Sequence, residues 1–247
     1  MTAIDSVGGD WNVAASWNPA QVPVAGDRVT ILAGDTITLT QDEAAGSVTI
    51  NSTGKIVGGG HKLTLNDAAG STYIFSSVGI IDSATTLDID ITGGSADRPI
   101  NEAGTGSINN LLINNSGRTY KTHYHLSLLG NLTITAGTLN TNNGSADQNL
   151  TVTGYCDVTG TLTLNGSTVS VGALRCNSGA AVTQGSSGTL EFTTGSNFGG
   201  SEGSSYSLRN TDGTSDINLG GTTTVTGGAY FEPRTATVYA SVLNNIV

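Results

Sequence analysis

The amino-acid sequence predicts an all-β protein built as a single-stranded parallel β-helix, a stack of coils also called a β-solenoid. Three observations predict it: a composition that disfavours helices, short runs in which apolar and polar residues alternate, and glycine-centred connections between those runs. The chain has 247 residues, and all-β architectures of this size commonly form a single unit. We therefore expect one structural domain.

The composition favours strands over helices. Only 11% of the residues are charged, against about 25% in average globular chains, and glycine, threonine, serine and asparagine make up the difference. Threonine and valine lose side-chain freedom in a helix, and each glycine costs a helix about 1 kcal/mol relative to alanine. Threonine and valine fit strands, and their recurrence along the chain also argues against disorder.

The charge balance is strongly acidic, with 19 acidic and nine basic side chains and a formal net charge of −10. Such a field repels a phosphate backbone, and the basic residues are scattered singly, so we expect no nucleic-acid partner. No stretch approaches the roughly 20 apolar residues of a membrane span, so we expect no membrane contact. The opening MTAIDSVGGDWN lacks the basic and apolar regions of a secretory signal. Either such a signal has been removed, or the protein does not pass through a secretory translocon.

Short runs of alternating apolar and small polar residues recur along the chain. This period of two is typical of a strand that buries one face. The clearest runs are 29–32 (VTIL), 36–39 (TITL), 47–50 (SVTI), 62–65 (KLTL), 87–91 (LDIDI), 132–134 (LTI), 150–152 (LTV), 162–164 (LTL) and 169–171 (VSV).

The connections between these runs are short and centred on glycine, for instance at Gly34, Gly137, Gly160 and Gly179. We expect glycine there because a sharp corner needs a positive φ. Residues 130–195 form a degenerate repeat whose strands and turns are too short for a hairpin sandwich. They suit a solenoid with about three strands in each coil, roughly 20 residues per coil and about ten coils in all.

Cys156 and Cys176 are separated by one predicted coil length, which would place them above one another on neighbouring coils. We expect both to be buried residues of a structural ladder, since free cysteine is among the most buried residue types. A disulfide between them is the alternative.

The N-terminal segment carries a resemblance. Trp11, Trp17-Asn18-Pro19 and the stretch 22–31 (VPVAGDRVTI) are followed by the strand at 36–39. This order resembles the start of many right-handed parallel β-helix proteins, in which an aromatic segment leads into the first coils. The repeat at 130–195 is similar to the coils of phage tail-fibre and tailspike stems and of bacterial adhesin or autotransporter passengers. The resemblance implies a right-handed helix with an N-terminal cap at 1–28, coils at 29–195, and terminal coils, a cap or an oligomerisation segment at 196–247.

Trp11 and Trp17 are the first candidate binding residues. Two indole rings could form a platform on which a sugar ring stacks, which would make them a carbohydrate-binding site. The alternative is that they cover the open end of the first coil, where unpaired edges and apolar side chains need protection.

Asp88 and Asp90 are the candidate catalytic residues. They lie two apart in an alternating run, so both carboxylates should project from the outer face. A glycosidase needs two carboxylates about 5 to 9 Å apart. However, no aromatic or arginine cluster accompanies them in the sequence, so a solvated strand face is the alternative. The pair could also bind calcium, but the sequence around it lacks the acidic loop pattern that is typical of calcium sites.

His123 and His125 are the candidate metal ligands. On a strand they would share one face, and in a trimer three such pairs could surround one axis with imidazoles. Histidine pairs of this kind occur in the trimeric phage fibres that the chain resembles. Two partly exposed strand histidines without a metal are the alternative.

These observations predict a non-catalytic bacteriophage virion structural protein, either a tail-fibre or spike component or a capsid decoration protein, located on the virion surface. No nucleophile elbow, phosphate-binding loop or dinucleotide motif is present, and we expect no cofactor. The resemblance implies a homotrimer, because three solenoids side by side bury their lateral faces. Other virion proteins, and host surface polysaccharide, are the expected partners.

Two other functions stay open. One is a polysaccharide-degrading, tailspike-like enzyme, since the same fold hosts catalytic and structural proteins. Asp88, Asp90, Glu102 and Glu191 would then be the candidate catalytic residues. The other is a secreted bacterial adhesin exposed on the cell surface.

Overall fold

The computed structural model describes residues 2–67, 71–177, 179–185 and 187–192, and the backbone of four later strands between residues 206 and 233. Within these residues the protein is all-β, with no α-helix and a single 3-10 turn at Ala14–Ser16. The same part of the chain contains no helix that is long and apolar enough to span a membrane.

The strands are short and numerous. In chain order they are β1 (Ala3–Ser6), β2 (Gly9–Asp10), β3 (Trp17–Asn18), β4 (Arg28–Ile31), β5 (Thr36–Thr38), β6 (Glu43–Ala45), β7 (Ser47–Ile50), β8 (Lys55–Val57), β9 (His61–Leu65), β10 (Phe75–Ser77), β11 (Ile80–Ile81), β12 (Leu87–Ile91), β13 (Pro99–Glu102), β14 (Leu111–Thr122), β15 (Leu126–Leu128), β16 (Leu132–Asn140), β17 (Leu150–Val158), β18 (Thr161–Asn165), β19 (Thr168–Cys176), β20 (Ala181–Gln184), β21 (Thr189–Phe192), β22 (Tyr206–Asn210), β23 (Asp216–Leu219), β24 (Thr222–Val225) and β25 (Tyr230–Pro233).

The strands stack into three parallel ladders. The first contains β1, β4, β7, β10, β13, the last residues of β14 and β16, then β18, β20 and β23. The second runs from β2 through β5, β8 and β11, and resumes with β15, the first residues of β17 and β19, then β21 and β24. The third contains β6, β9, β12, the first residues of β14 and β16, the last of β17 and β19, then β22 and β25. The predicted parallel β-solenoid is confirmed.

The coils are less uniform than the sequence suggested. From β1 to β20, paired residues on neighbouring strands of the first ladder are between 19 (Arg28 and Ser47) and 27 (Val48 and Phe75) positions apart in the chain, so the turns differ in length. The structure has about eight turns, where a constant coil of roughly 20 residues predicted about ten. The difference arises because several turns carry extra residues at their corners.

The core is a set of aligned apolar columns inside the coils. In β12 the side chains alternate between buried and half-buried, as the period of two predicts. One column shows how the turns hold together, because each member is at most 1% exposed and stacks on the next in register. Its members are Leu65, Ile91, Ile113, Ile134, Val158 and Cys176. Complete burial of one such aliphatic side chain contributes about 1.5 to 3 kcal/mol.

Glycine serves two different purposes at the corners. Gly34 has φ +86°, the left-handed conformation that the sequence predicted for sharp corners. Gly172 has no positive φ, but a Cβ there would collide with the carbonyl oxygen of Gly154 on the preceding turn. Close approach of two coils therefore requires glycine at positions where the dihedral angle does not.

Both cysteines lie in the third ladder, where they are buried and do not form a disulfide. They are not directly above one another: Cys156 is paired with Leu174, and Cys176 with Val158. The predicted stacking is wrong by two residues, because this turn is shorter than the 20-residue coil that was assumed. An offset of two residues between neighbouring strands places the Cα atoms of the two cysteines about 8 Å apart, which is too far for an ordinary disulfide. Burial raises the pKa of Cys176 to about 12 and that of Cys156 well above its usual value.

Candidate functional site

Trp11 and Trp17 fill the N-terminal end of the solenoid. They are 0% and 2% exposed, with ring centroids 5.0 Å apart in an edge-to-face arrangement. The Trp17 indole donates a hydrogen bond to the carbonyl oxygen of Trp11 at 2.7 Å, and β3 pairs antiparallel with the edge of β1. The sugar-platform hypothesis is therefore wrong, because neither ring offers a face to a ligand. Their position fits the capping alternative.

Asp88 connects neighbouring coils. Its Oδ1 accepts hydrogen bonds from the side-chain amides of Asn109 and Asn110, at 2.8 and 3.0 Å, and from the backbone N–H of Asn110 at 3.2 Å. The pattern continues upward: Asn110 Oδ1 accepts from the backbone of Asn131, and Asn131 Oδ1 accepts from the backbone of Tyr155. Asp88 is thus the first member of a row of side-chain acceptors that joins successive turns.

Asp90 lies on the same outer face of β12 as Asp88, as the alternation predicted. Its carboxylate forms an ion pair with Lys62 Nζ at 3.1 Å on the preceding turn, and the Asp90 partner raises the pKa of Lys62. Both candidate carboxylates therefore make contacts between coils. Neither of them lines the pocket that is described on the surface of the solenoid.

Glu102 is the carboxylate with the most unusual environment. Its Oε1 accepts the backbone N–H of Ile108 at 3.1 Å, and its Oε2 accepts that of Ser127, one turn later, at 3.0 Å. Burial outweighs these two donors and raises the pKa of Glu102 to about 7. Glu191, the other acidic candidate, is a half-buried residue of β21 paired with Ser170.

His123 and His125 do not lie on a strand. They occupy the corner between β14 and β15, so the period of two that would have placed them on one face does not apply. His125 Nε2 lies 3.4 Å from the hydroxyl of Thr151, whereas the ring of His123 packs against tyrosines. The described part of the chain brings no three histidine, cysteine or acidic side chains together in a metal-binding cluster.

The structure contains a polar groove that the sequence did not reveal. It has a volume of about 420 Å³ and lies on the outer face of the first ladder, in the N-terminal turns. We call it the Tyr73 groove. It is lined by Ala3, Arg28, Val29, Thr30, Ser47, Thr49, Ser71, Thr72, Tyr73 and Ser76.

Strand alternation builds the floor of the Tyr73 groove. Because Val29, Val48 and Phe75 point into the core, the residues next to them point outward. Parallel pairing then places Thr30 beside Thr49, and Thr49 beside Ser76. The result is a row of hydroxyl groups that crosses successive turns.

One wall of the groove is the corner at residues 71–73, which precedes β10. The Ser71 hydroxyl lies 2.5 Å from that of Ser47. The Arg98 guanidinium donates both to the carbonyl oxygen of Ser71 and, at 2.8 Å, to Asp67 Oδ1. The Asp67 and Arg98 side chains are only 3% and 18% exposed, so this ion pair anchors both sides of the corner.

An aromatic cluster extends from this wall. The rings of Tyr73 and His123 meet edge to face at 5.4 Å, and those of His123 and Tyr124 at 5.0 Å. Tyr124 is 49% exposed. The backbone N–H of His123 donates to Ile100 at 2.8 Å, which fixes the corner of β14 beside β13.

Sequence reasoning missed this cluster because its members come from different turns. One signal was present: Val48 and Phe75, which pair on neighbouring turns, are 27 residues apart, more than the expected coil of roughly 20 residues. No protein-family model, curated protein or solved structure matches the chain. The functional proposals therefore depend on the sequence and on the geometry of the chain itself.

Proposed function

We propose that the protein is a rigid, non-catalytic structural module of a bacteriophage virion, either a tail-fibre or spike component or a capsid decoration protein. The observation that carries the proposal is the use of Asp88 as an acceptor for three donors on Asn109 and Asn110 of the next turn. A carboxylate that holds two coils together stiffens the stack and is not poised to react. The virion assignment is supported by the resemblance of the repeat at 130–195 to the coils of phage tail-fibre and tailspike stems, a resemblance that extends equally to bacterial adhesin and autotransporter passengers.

Rigidity follows from the number of connections between turns. Successive turns are joined by parallel ladders, of which the second is interrupted between β11 and β15, and the side-chain row from Asp88 to Asn131 adds hydrogen bonds at a corner. Backbone hydrogen bonds within a covered sheet resist local opening. Such a rod suits a part of a particle that has to resist shear.

We also propose that the module forms a homotrimer. Val7, Leu32 and Val78 each come directly after a strand of the first ladder, so they share one corner, and they are 56%, 38% and 46% exposed. On the turn between Leu32 and Val78 the corresponding residue is Asn51, and exposed apolar side chains that recur at one corner of a solenoid favour lateral contact with another copy.

Light scattering after size-exclusion chromatography tests the trimer. We expect a mass three times that of one chain. The double variant Leu32→Glu, Val78→Glu should elute as a monomer, whereas Val24→Glu, an exposed valine that does not follow a first-ladder strand, should remain trimeric. A wild-type monomer would refute the proposal.

Two experiments test the function itself. Mass spectrometry of particles purified from a lysate of infected cells should find the chain in the virion fraction. Recovery only from the surface of uninfected cells would instead support the adhesin alternative.

Incubation of the protein with bacterial surface polysaccharides should leave the chain length of the polysaccharides unchanged. Shortening by the wild type but not by Asp88→Asn would support the enzyme alternative.

A further inference from the structure

We propose that the Tyr73 groove binds an uncharged, hydroxyl-rich carbohydrate, with the aromatic cluster of Tyr73, His123 and Tyr124 as the platform for one of its rings. The inference goes beyond the structural role proposed above, and neither depends on the other. It also assigns carbohydrate recognition to residues other than Trp11 and Trp17.

The floor of the groove has the chemistry that a polyol requires. Hydroxyls of Thr30, Thr49 and Ser76 stand in one row. A hydroxyl can donate one hydrogen bond and accept two, and the buried Ser76 hydroxyl already accepts one from the Asn101 amide. A sugar presents hydroxyls of the same dual character, so donor and acceptor roles can adjust on both sides. The groove volume of about 420 Å³ lies within the range of sites that take small ligands.

The aromatic cluster supplies the apolar part of the site. Tyr73 lines the groove. Its ring contacts the His123 ring edge to face, and the His123 ring contacts that of Tyr124 in the same way. Half of the Tyr124 side chain is accessible. Aromatic rings with one apolar face and one polar end suit a ligand that is itself part apolar and part hydrated. The carbon-bound hydrogens on one face of a pyranose provide such a surface.

Other classes of ligand fit less well. A peptide cannot add to the sheet here, because the strands on the floor already pair with neighbours on both sides. The net charge of −10 repels anionic polymers, which disfavours nucleic acids and acidic glycans, while Arg28 is the one charged residue among the described residues that line the groove. An uncharged ligand recognised by side chains is the class that remains.

The site is held in shape before any ligand arrives. The contacts of Arg98 with Asp67 and Ser71, and the hydroxyl pair of Ser47 and Ser71, fix the wall. Beside Ser76, Asn101 is 5% exposed and donates its amide to the Ser76 hydroxyl at 2.9 Å. The Asn101 carbonyl oxygen has no hydrogen-bond partner among the described residues. A buried acceptor beside the groove is an expected position for a ligand hydroxyl or a bridging water.

The test uses the whole chain on an array of neutral and acidic bacterial surface glycans, followed by affinity measurement on the glycans that bind. We expect binding to neutral glycans. Tyr73→Ala should weaken it by at least about tenfold, and Thr49→Val, which removes a hydroxyl but keeps the side-chain shape, should weaken it by a few-fold. Tyr155→Ala changes a tyrosine of the third ladder and serves as the matched control, with unchanged affinity.

Circular dichroism and thermal melting would establish that each variant is folded before its affinity is compared. Absence of binding to any neutral glycan, a preference for acidic glycans, or equal affinity of wild type and Tyr73→Ala would overturn the proposal. None of these results would affect the trimer or virion tests, so the two proposals can fail separately.

Discussion

Glu102 offers a prediction in which two physical effects oppose each other. Its carboxylate accepts backbone N–H groups from Ile108 and Ser127, which favours the charged form, whereas burial favours the neutral form. Burial is the larger effect and raises the pKa of Glu102 from 4.5 to about 7. An acid with a raised pKa binds its proton more tightly in the folded state, so protonation stabilises the fold.

The expected pH dependence follows from this shift. The contribution of Glu102 to the free energy of unfolding is highest below about pH 4.5 and falls as the pH rises toward about 7. At about 1.36 kcal/mol for each pKa unit, the whole change is about 3 kcal/mol. Above about pH 7 the folded and unfolded states are both charged at this position, and no further change is expected.

Urea denaturation of wild type and Glu102→Gln over this pH range measures the effect. Glutamine stays neutral, so the variant should lack this component, and all other titrations cancel in the difference between the two proteins. We expect that difference to move by about 3 kcal/mol in favour of the variant between about pH 4.5 and pH 8. A constant difference would refute the reasoning. A shift in favour of the wild type would show that the two backbone donors outweigh burial.

Three further predictions concern the cap, a corner and the core. Trp17→Ala should lower the free energy of unfolding by about 3 to 5 kcal/mol, because the ring is fully buried; a loss under about 1 kcal/mol in chemical denaturation would contradict the capping role. Gly106→Ala should cost at least about 2 kcal/mol by the same measurement, since Gly106 has φ +84° and a Cβ would collide with the carbonyl oxygen of Ile81; wild-type stability would count against this corner geometry. Cys156 and Cys176 should not react with Ellman's reagent at about pH 8 unless the protein is unfolded, because burial raises the pKa of both thiols and only thiolate reacts; rapid reaction of the native protein would show that the ladder is open.

The sequence predicted the features that depend on local pattern. The alternation in LDIDI places Leu87, Ile89 and Ile91 inside and both aspartates outside, because a strand has a period of two wherever it occurs. Gly34 adopts the positive φ that a tight corner requires. Composition favoured strands over helices, since the residues that fill helical surfaces are scarce.

Features that depend on coil length could not be predicted. Cys156 and Cys176 miss direct stacking by two residues, because the register is set by the actual length of each corner and not by an average. Tyr73 meets His123 only because the turn that contains Tyr73 is long and because β14 ends at Thr122. For the same reason His123 and His125 were wrongly assigned to a strand face.

Burial was the other quantity that the sequence left open. Trp11 and Trp17 could serve either as an exposed sugar-binding platform or as a buried cap, and the sequence is the same in both cases. The pairing of β3 with β1, which buries both rings, decides between the two. Likewise, the spacing of Asp88 and Asp90 fits a catalytic pair, but the donors that occupy Asp88 come from the following turn. Partners from another coil carry no signal in the local sequence.

The central claim is that Asp88 holds neighbouring coils together, and the free energy of unfolding of Asp88→Ala tests it most directly. Loss of three hydrogen bonds to a charged acceptor should destabilise the protein by about 1.5 to 3 kcal/mol. Asp90→Ala, which removes only the partly exposed ion pair with Lys62, is the matched control and should cost at most about 1 kcal/mol. Unchanged stability of Asp88→Ala, or a larger loss for Asp90→Ala, would contradict the account.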